Sequence, residues 1–463
     1  MREPGAILLV ACYELGHQPL AVAWPAAFLE RAGYRPAVMD VSVEPFDAEK
    51  VARARLIAIS VPMHTALRLG VTVAERARQI NPGCHICFVG LYATLNADYL
   101  LAHGADSVIG GEIESPLVEL VQRLEAGDPR PLPAVSARGH AAAPHLEHLD
   151  YPVPSRAQLP SLKRYAHLER AGRHEIVGYA EASRGCLHLC RHCPIPPVYG
   201  GRFFAVPREV VLADIRQQVA AGATHVSFGD PDFLNGPTHA RRLARALHDE
   251  FPTLTFDFTA KIEHLLRHRR HLPELAAAGC LFIVSAAESL SDTVLAHLDK
   301  GHTRADIVEA LRATRQAGIE LRPTWVAFTP WTTIQDYRAL LDFIGAEELV
   351  DHVDPVQYSL RLLVPPGSLL LDSPAMHPHL AGLEQATFSY RWAHPDPRMD
   401  RLHSAVAEAV TKAAEAGEDA AVTFDRVRAL TAQALGDPAP APVATQLPVD
   451  RARPPRLTEP WFC

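Results

Sequence analysis

The sequence has no long apolar run and no block of basic residues. No stretch approaches the roughly 18 to 20 apolar residues of a membrane-spanning helix. AILLVA (6–11) is closed early by Glu14, so we predict a buried strand there rather than a signal peptide. Lysines and arginines are interleaved with acids and the net charge is -8, which argues against nucleic acid as the main partner. We expect neither a membrane nor a nucleic-acid partner.

Cysteine is also scarce, because eight residues among 463 do not make a disulfide scaffold. A reducing, cytoplasmic location is therefore expected, where clustered cysteines more often bind metal or catalyse. One cluster stands out in RGCLHLCRHCP (184–194). Its three cysteines are Cys186, Cys190 and Cys193. Three others, expected to be buried and inert in or beside strands, are Cys84, Cys87 and Cys280.

The first part of the chain, residues 1–130, alternates strand and helix patterns. Such alternation predicts an α/β domain with a doubly wound parallel sheet, whose ligands lie beyond the strand C-termini. The predicted strands cover 6–12, 35–41, 56–60, 85–90 and 105–111. Residues 131–172 are rich in proline, histidine and alanine and lack a clear period, so we predict a linker packed on the surface.

A second alternating block covers residues 173–370. Six βα units, the last beginning with a strand at 354–363, predict a partial (βα)6 TIM-like barrel with its chemistry at the strand C-termini. Residues 371–436 are predicted to be a helical C-terminal region, and residues 437–463 a proline-rich extended tail ending in Cys463.

The spacing C-x3-C-x2-C suits three irons of a cubane cluster, with the fourth iron left without a protein ligand. Ferredoxin-type clusters use four cysteines, and structural zinc sites want a closed set of four ligands. No fourth cysteine lies near this loop. The alternative is a zinc site completed by His188 or His192.

This spacing, on the first strand of such a block, resembles the radical S-adenosylmethionine (radical SAM) superfamily. The resemblance implies a [4Fe-4S] cluster on Cys186, Cys190 and Cys193 whose open iron binds S-adenosylmethionine. The reduced cluster of such proteins cleaves a carbon–sulfur bond and releases a carbon radical. A small-molecule substrate and an electron donor such as flavodoxin or ferredoxin are implied as partners.

Two further segments resemble motifs of the superfamily. SFGDPDF (227–233) stands where the superfamily has a Gly-Gly-Glu-like segment, which implies cofactor contacts for Gly229 and Asp230. AAESLSDTVLAHLDKGHT (286–303) resembles the B12-associated branch. Its candidate polar contacts are Glu288 and Lys300. The alternatives are a helix-capping role for the aspartate and a surface ion pair for the other two.

The N-terminal domain resembles the cobalamin-binding domain that precedes many radical SAM barrels. It lacks the DxHxxG signature that supplies a histidine to cobalt, and His17 and His64 have the wrong surroundings. We expect His64 to be a satisfied loop histidine. Either cobalamin binds without a protein ligand, or the domain is a relic.

The chain most closely resembles a radical SAM family named for a CUAEP or CCAEP tail, where U is selenocysteine. The terminal LTEPWFC (457–463) carries part of this resemblance. We hypothesise that a selenocysteine codon was read as a stop and that Cys463 is a catalytic soft ligand. The alternative is an ordinary exposed thiol.

The leading functional hypothesis is an enzyme that cleaves S-adenosylmethionine reductively. It would transfer a methyl or a 3-amino-3-carboxypropyl group to an acceptor that the sequence does not identify, with a metalloid or other soft species as one guess. The rival hypothesis is a non-catalytic iron–sulfur or thiol protein that senses redox state or binds a metal or metalloid.

Overall fold

The N-terminal part of the chain folds around a six-stranded sheet. In this computed structural model, residues 1–448 and 451–459 are described. The strands are β1 (Ile7–Ala11), β2 (Ala37–Asp40), β3 (Leu56–Ser60), β4 (His85–Val89), β5 (Ser107–Ile109) and β6 (Val135–Ala137). The helices are α1 (Leu20–Arg31), α2 (Ala48–Arg53), α3 (His64–Ile80), α4 (Leu91–Leu95), α5 (Ala97–Ala102) and α6 (Glu114–Ala126).

The strand order is β2-β1-β3-β4-β5-β6, with β1 to β5 parallel and β6 antiparallel at the edge. Strands β1 and β3 are fully buried, as their continuous apolar sequences require in a sheet covered on both faces. The order reverses between β1 and β3, which opens a crevice beyond their C-terminal ends. The predicted doubly wound sheet is confirmed.

The second part of the chain is built on a seven-stranded sheet. Its strands are β7 (His167–Arg170), β8 (Arg173–Ala180), β11 (His225–Phe228), β12 (Thr255–Thr259), β13 (Cys280–Glu288), β14 (Glu320–Trp325) and β17 (Arg456–Leu457). A separate hairpin beside this sheet consists of β9 (Ser183–Gly185) and β10 (Phe203–Ala205). The helices are α7 (Pro196–Tyr199), α8 (Arg208–Ala220), α9 (Pro237–Glu250), α10 (Ile262–Arg267), α11 (Leu272–Ala277), α12 (Asp292–Leu298), α13 (Arg304–Ala317) and α14 (Ile334–Ala346).

The order β14-β13-β12-β11-β8-β7-β17 contains five parallel strands, β8 and β11 to β14, each connected to the next through helices. These are the strands of a partial barrel, as predicted. One hydrophobic core holds Leu9 of the first sheet and Val226 of the second, so the two sheets pack as a continuous unit.

The predicted sixth barrel strand at 354–363 is wrong. A 3-10 helix occupies Pro355–Ser359, and pairing is limited to one parallel bridge between Phe328 and Arg361. Proline fixes its own φ and has no N–H to donate to a strand ladder. The side chain of Gln357 replaces a strand partner, because its Oε1 accepts from the backbone N–H of Trp325 at 3.1 Å.

The predicted surface linker at 131–172 is more structured than its composition indicates. It contributes β6 to the first sheet and β7 to the second, and Tyr151 and Leu159 are buried. Arg156 is also buried and donates to Gln18 and to Asp214, so the segment joins the two sheets.

The C-terminal region contains the predicted helices and a hairpin that the sequence did not predict. The elements are β15 (Leu380–Glu384), β16 (Ser389–Trp392), α15 (Pro397–Glu415) and α16 (Ala420–Leu435). The tail then returns to the barrel, where β17 pairs antiparallel with β7. No helix in the described part of the chain is both long and apolar enough to cross a membrane.

Candidate functional site

The three clustered cysteines lie on the loop between β9 and α7, where the first parallel strand of the barrel has just ended. Gly185 begins this loop with a φ of 73°, and a Cβ there would overlap the carbonyl oxygen of Arg202. Cys190 is buried, and Cys186 and Cys193 are half-buried. The loop therefore presents three thiols from one tight turn.

The thiols are held in surroundings that favour the protonated form until metal binds. Burial raises the pKa of Cys193 to about 12 and also raises the pKa of Cys186. The Lys300 ammonium opposes this rise at Cys193. Since a metal-bound cysteine is a thiolate, cluster binding must release these protons.

His192, Glu288 and Lys300 form a buried polar group beside the cysteine loop. Oε1 of Glu288 lies 3.1 Å from Nε2 of His192 and 3.2 Å from Nζ of Lys300. Burial alone would raise the pKa of Glu288, but Lys300 and His192 lower it to about 2. Because Glu288 and Lys300 are only 7% and 4% exposed, the alternative of a surface ion pair is wrong.

Glu288 has an unusual backbone conformation at the end of β13. Its φ is 64°, in the left-handed region that non-glycine residues rarely adopt. The register with β14 shifts between Ala286 and Glu288, and the carbonyl of Glu288 accepts from Val326. The strand end thus turns the carboxylate toward the cysteine loop. The cofactor contacts implied for Glu288 and Lys300 stay predictions.

Asp230 follows β11 and is used inside the protein. Its Oδ2 accepts from the N–H of Ala182 at 2.8 Å, and its Oδ1 accepts from Oγ of Ser183 at 2.5 Å. Burial raises the pKa of this carboxyl to about 7. Asp230 holds the turn between β8 and β9 and does not cap a helix. Gly229 precedes it, and a Cβ there would overlap the phenol of Tyr179.

The two histidines of the alternative zinc site face carboxylates rather than the thiols. His192 contacts Glu288, as described above. Nε2 of His188 lies 3.5 Å from Oδ2 of Asp232, and its Nδ1 lies 3.1 Å from Nζ of Lys261. Both rings are therefore engaged away from the cysteine cluster, which favours the three-thiolate interpretation.

Arg184, two residues before Cys186, joins the cysteine loop to the N-terminal sheet. Its Nη1 lies 2.7 Å from Glu114 and 3.2 Å from Glu112, and its Nε lies 3.2 Å from Glu181. The guanidinium also stacks over the ring of Trp24 at 4.3 Å. The sequence analysis did not predict that Arg184 and its carboxylate partners connect the two parts of the chain. The signal was the GGEIE segment (110–114) at the end of a predicted strand.

A cavity of about 1050 Å³ opens at the C-terminal edge of the N-terminal sheet. Cys12 and Tyr13 after β1, and Thr65 at the start of α3, line it from the sheet. Tyr165 and Phe388 line it from the linker and from the β15–β16 hairpin. It therefore lies at the reversal of strand order, where open α/β sheets bind ligands. Its described lining does not include the cluster cysteines.

Neither His17 nor His64 is among the described residues that line this cavity. Nε2 of His64 contacts the carbonyl oxygen of Thr387, so this side chain has a partner as expected, but the residue begins α3 and does not lie in a loop. The ring of His17 stacks on Tyr179 at 4.5 Å, and its Nε2 lies 3.2 Å from Glu459 in the tail. Cys463 lies outside the described residues, and its catalytic role stays a prediction.

The scattered cysteines Cys84, Cys87 and Cys280 are buried, as expected. Burial raises the pKa of Cys84 to about 11 and that of Cys87 to about 12. It raises the pKa of Cys280 well above the usual value. Every cysteine in the described residues is free of disulfides.

Two known domain families match separate parts of the chain. Residues 181–344 match the radical SAM superfamily, and residues 6–121 match the B12 binding domain. A tRNA-2-methylthio-N(6)-dimethylallyladenosine synthase of Desulfosudis oleivorans is 30% identical over 207 residues, which cover 41% of this chain and 42% of that protein. The chain spans less than two thirds of the length of the curated relatives it matches.

Two solved structures share the fold over most of the chain. The cobalamin-dependent S-adenosylmethionine radical enzyme OxsB, with aqua-cobalamin and S-adenosylmethionine bound, aligns at a TM-score of 0.71 with 13% identity, over 92% of this chain and 72% of that one. The radical S-adenosylmethionine methyltransferase TsrM from Kitasatospora setae aligns at 0.66 with 17% identity, over 88% and 89%. The resemblance to radical SAM and B12-binding domains is confirmed, whereas that to the CUAEP/CCAEP-tail family stays a prediction.

Proposed function

We propose that this chain, whose residues 181–344 match the radical SAM superfamily and whose residues 6–121 match the B12 binding domain, is a transferase using S-adenosylmethionine, a [4Fe-4S] cluster and cobalamin. The proposed reaction moves a methyl group of S-adenosylmethionine to a small-molecule acceptor. A low-potential donor such as flavodoxin or ferredoxin would supply electrons.

The observation that carries this proposal is the set of ion pairs that Arg184 forms with the N-terminal part of the chain. Arg184, in the strand that leads into the cysteine loop, forms ion pairs with Glu112 and Glu114, which follow the C-terminal end of β5 in the part of the chain that matches the B12 binding domain. We take this contact as support for a B12-binding domain that works together with the cysteine loop rather than for a relic. The buried charges fix the cysteine loop and that part of the chain relative to one another.

The residues present fit both groups. Three thiols on one loop leave the fourth iron of a cubane open for S-adenosylmethionine. The cavity of about 1050 Å³ exceeds the usual range for small ligands, about 300–1,000 Å³. No histidine lies in its described lining, so cobalamin would bind there without a protein ligand to cobalt. When bound, the cluster supplies an electron to S-adenosylmethionine and cobalamin supplies a carrier for a methyl group.

The chain's own residues would hold and orient these groups. The buried ion pair of Glu288 with Lys300 places an ammonium near Cys193, where it offsets the negative charge of cluster thiolates. His192 is fixed by the same carboxylate, so the loop cannot turn independently of β13. Asp230 holds the turn that precedes the loop.

The test is anaerobic. Protein reconstituted with iron and sulfide is incubated with dithionite, cobalamin and S-adenosylmethionine, and products are identified by mass spectrometry. We expect S-adenosylhomocysteine from methyl transfer, or 5′-deoxyadenosine from radical formation. The triple variant Cys186→Ala, Cys190→Ala, Cys193→Ala should make neither product, while the matched Cys280→Ala variant should retain both activity and iron.

Other products would redirect the proposal. Methylthioadenosine would indicate transfer of the 3-amino-3-carboxypropyl group instead of methyl. Absence of cleavage by protein shown to hold four irons would refute the enzyme proposal and favour the non-catalytic sensor.

A further inference from the structure

A second set of metal-ligating atoms lies beside the cysteine loop. His188 stands between Cys186 and Cys190, Asp232 follows β11, and His264 lies in α10. Nε2 of His188, Oδ2 of Asp232 and Nδ1 of His264 all lie within 4.8 Å of one another. Three separate segments of the barrel therefore bring one ligand atom each to the same point.

The separations suit a single ion. Oδ2 of Asp232 lies 2.8 Å from Nδ1 of His264 and 3.5 Å from Nε2 of His188. Ligands bonded to zinc at about 2.0–2.2 Å lie roughly 3.0–3.5 Å from each other in tetrahedral or octahedral geometry. Two of the three separations are therefore close to the spacing that coordination requires, and the third, between the two ring nitrogens, is within 4.8 Å.

Hydrogen bonding does not account for these three atoms. Each is buried and, within the described part of the chain, none has a hydrogen-bond partner of acceptable geometry. The side chains of Asp232 and His264 are only 2% and 6% exposed. Buried polar atoms without partners cost about 1–3 kcal/mol each, so convergence of three of them needs an explanation. A bound cation would satisfy all three.

The contacts of Oδ1 of Asp232 and of Nδ1 of His188 also bear on how these side chains would bind an ion. Oδ1 of Asp232 accepts from the N–H of Leu234 at 3.0 Å, which leaves Oδ2 facing the two rings. Coordination through Nε2 of His188 puts its ring proton on Nδ1, which lies 3.1 Å from the ammonium of Lys261, so this ammonium must turn from the ring toward Glu263 when the ion binds. Lys261 keeps its ion pair with that carboxylate at 3.1 Å. Such outer contacts orient metal ligands.

We infer that His188, Asp232 and His264 bind one divalent first-row metal ion, separate from the iron–sulfur cluster. Two imidazoles and one carboxylate are a ligand set of zinc and of non-haem ferrous iron, with positions left open for water or a further ligand. The ion would tie the cluster loop to the C-terminal ends of β11 and β12. This site goes beyond the proposed transferase activity and does not depend on it.

Zinc is the probe that tests the site. Protein with its cluster fully loaded is equilibrated anaerobically with zinc sulfate, passed through a desalting column and analysed for zinc, iron and sulfide. We expect one zinc per chain in the wild-type protein. Asp232→Asn and His264→Gln should each lose it while keeping four irons, and neither position adjoins a cluster cysteine. The matched control is His268→Gln, whose ring lies 5.7 Å from that of His264 outside the triad, and it should keep the zinc.

X-ray absorption spectroscopy at the zinc edge identifies the ligands independently of the variants. Nitrogen and oxygen at about 2.0–2.2 Å support the site, whereas sulfur at about 2.3 Å would mean that zinc had displaced iron from the cysteines and would overturn the proposal. Zinc retained by both triad variants, or no zinc in wild-type protein with an intact cluster, would overturn it as well. Unchanged far-ultraviolet circular dichroism and iron content separate loss of the site from failure to fold.

Discussion

Arg184 in β9, the strand that leads into the cysteine loop, and Glu114, the first residue of α6, form an ion pair of 2.7 Å. The carboxylate is 1% exposed and the guanidinium 13%. Tyr151 and Tyr199 donate their hydroxyls to the neighbouring Glu112, so both oxygens of this buried carboxylate are hydrogen-bonded. A buried charge network of this kind has a large effect when one member is removed.

The first prediction concerns this network. Arg184→Met leaves Glu112 and Glu114 buried without a cation, so we expect the free energy of unfolding to fall by about 3–5 kcal/mol. Urea denaturation followed by circular dichroism measures the change. The control is Arg31→Met, which removes an exposed pair with Asp150 and should cost about 0–1 kcal/mol. Equal costs for the two variants would contradict the structural role given to Arg184.

The second prediction concerns the Glu288–Lys300 pair. Glu288→Gln strands a buried ammonium beside the cluster loop, so we expect a loss of about 3–5 kcal/mol in the free energy of unfolding. Adding Lys300→Met removes the stranded charge, and the double variant should be more stable than Glu288→Gln alone. A double-mutant cycle by urea denaturation gives the coupling energy. Strictly additive losses would show that the two side chains do not interact.

The alternation of apolar strands with amphipathic helices was sufficient to predict the parallel strands of both sheets. It failed at 354–363, because the polar side chain of Gln357 makes a contact that a strand backbone would otherwise make. It also failed at 380–392, where β15 is mostly exposed and has no buried face to give a period of two. Apolar periodicity reports burial, and these segments take their conformation from other contacts.

The three clustered cysteines could be proposed as cluster ligands from the sequence because a single loop carries all three. The His188–Asp232–His264 triad was not, since its members are 44 and 32 residues apart along the chain and only the barrel brings them together. Arg184 was missed for a related reason. Its partners belong to the other sheet, and a lone arginine beside a cysteine motif gives no local sign of what it contacts.

The third prediction is a pH dependence of stability. Burial, and then the charge of Glu181, raises the pKa of Glu14 from 4.5 to about 8. Folding therefore takes up a proton at this group between about pH 4.5 and 8, and its contribution to stability falls as pH rises through that window. Glu14→Gln cannot ionise, so its apparent Tm should fall less from pH 6 to pH 8 than that of wild type.

Thermal unfolding at a series of pH values measures this difference. The exposed Glu3→Gln is the matched control and should reproduce the wild-type pH profile. A Glu14→Gln profile parallel to that of wild type would show that the carboxyl does not change its proton occupancy on folding.

The fourth prediction separates steric fit from cofactor contact at Gly229. The ring of Tyr179 is held between His17, which stacks on it, and Gly229, where a Cβ would overlap the phenol. Gly229→Ala should therefore lower the free energy of unfolding by about 1–3 kcal/mol, as expected for overpacking. Gly382→Ala, at an exposed position with no neighbour within 4 Å of the added carbon, should cost far less.

Removing the Tyr179 ring tests whether its overlap with the added methyl group causes the loss of stability. In a Tyr179→Ala background the added methyl has room, so Gly229→Ala should cost little further stability in urea denaturation. If the methyl instead interferes with S-adenosylmethionine, the Tyr179→Ala background would restore stability but leave binding of the cofactor weakened by Gly229→Ala. An identical stability cost of Gly229→Ala in both backgrounds would mean that Tyr179 is not what requires glycine beside Asp230.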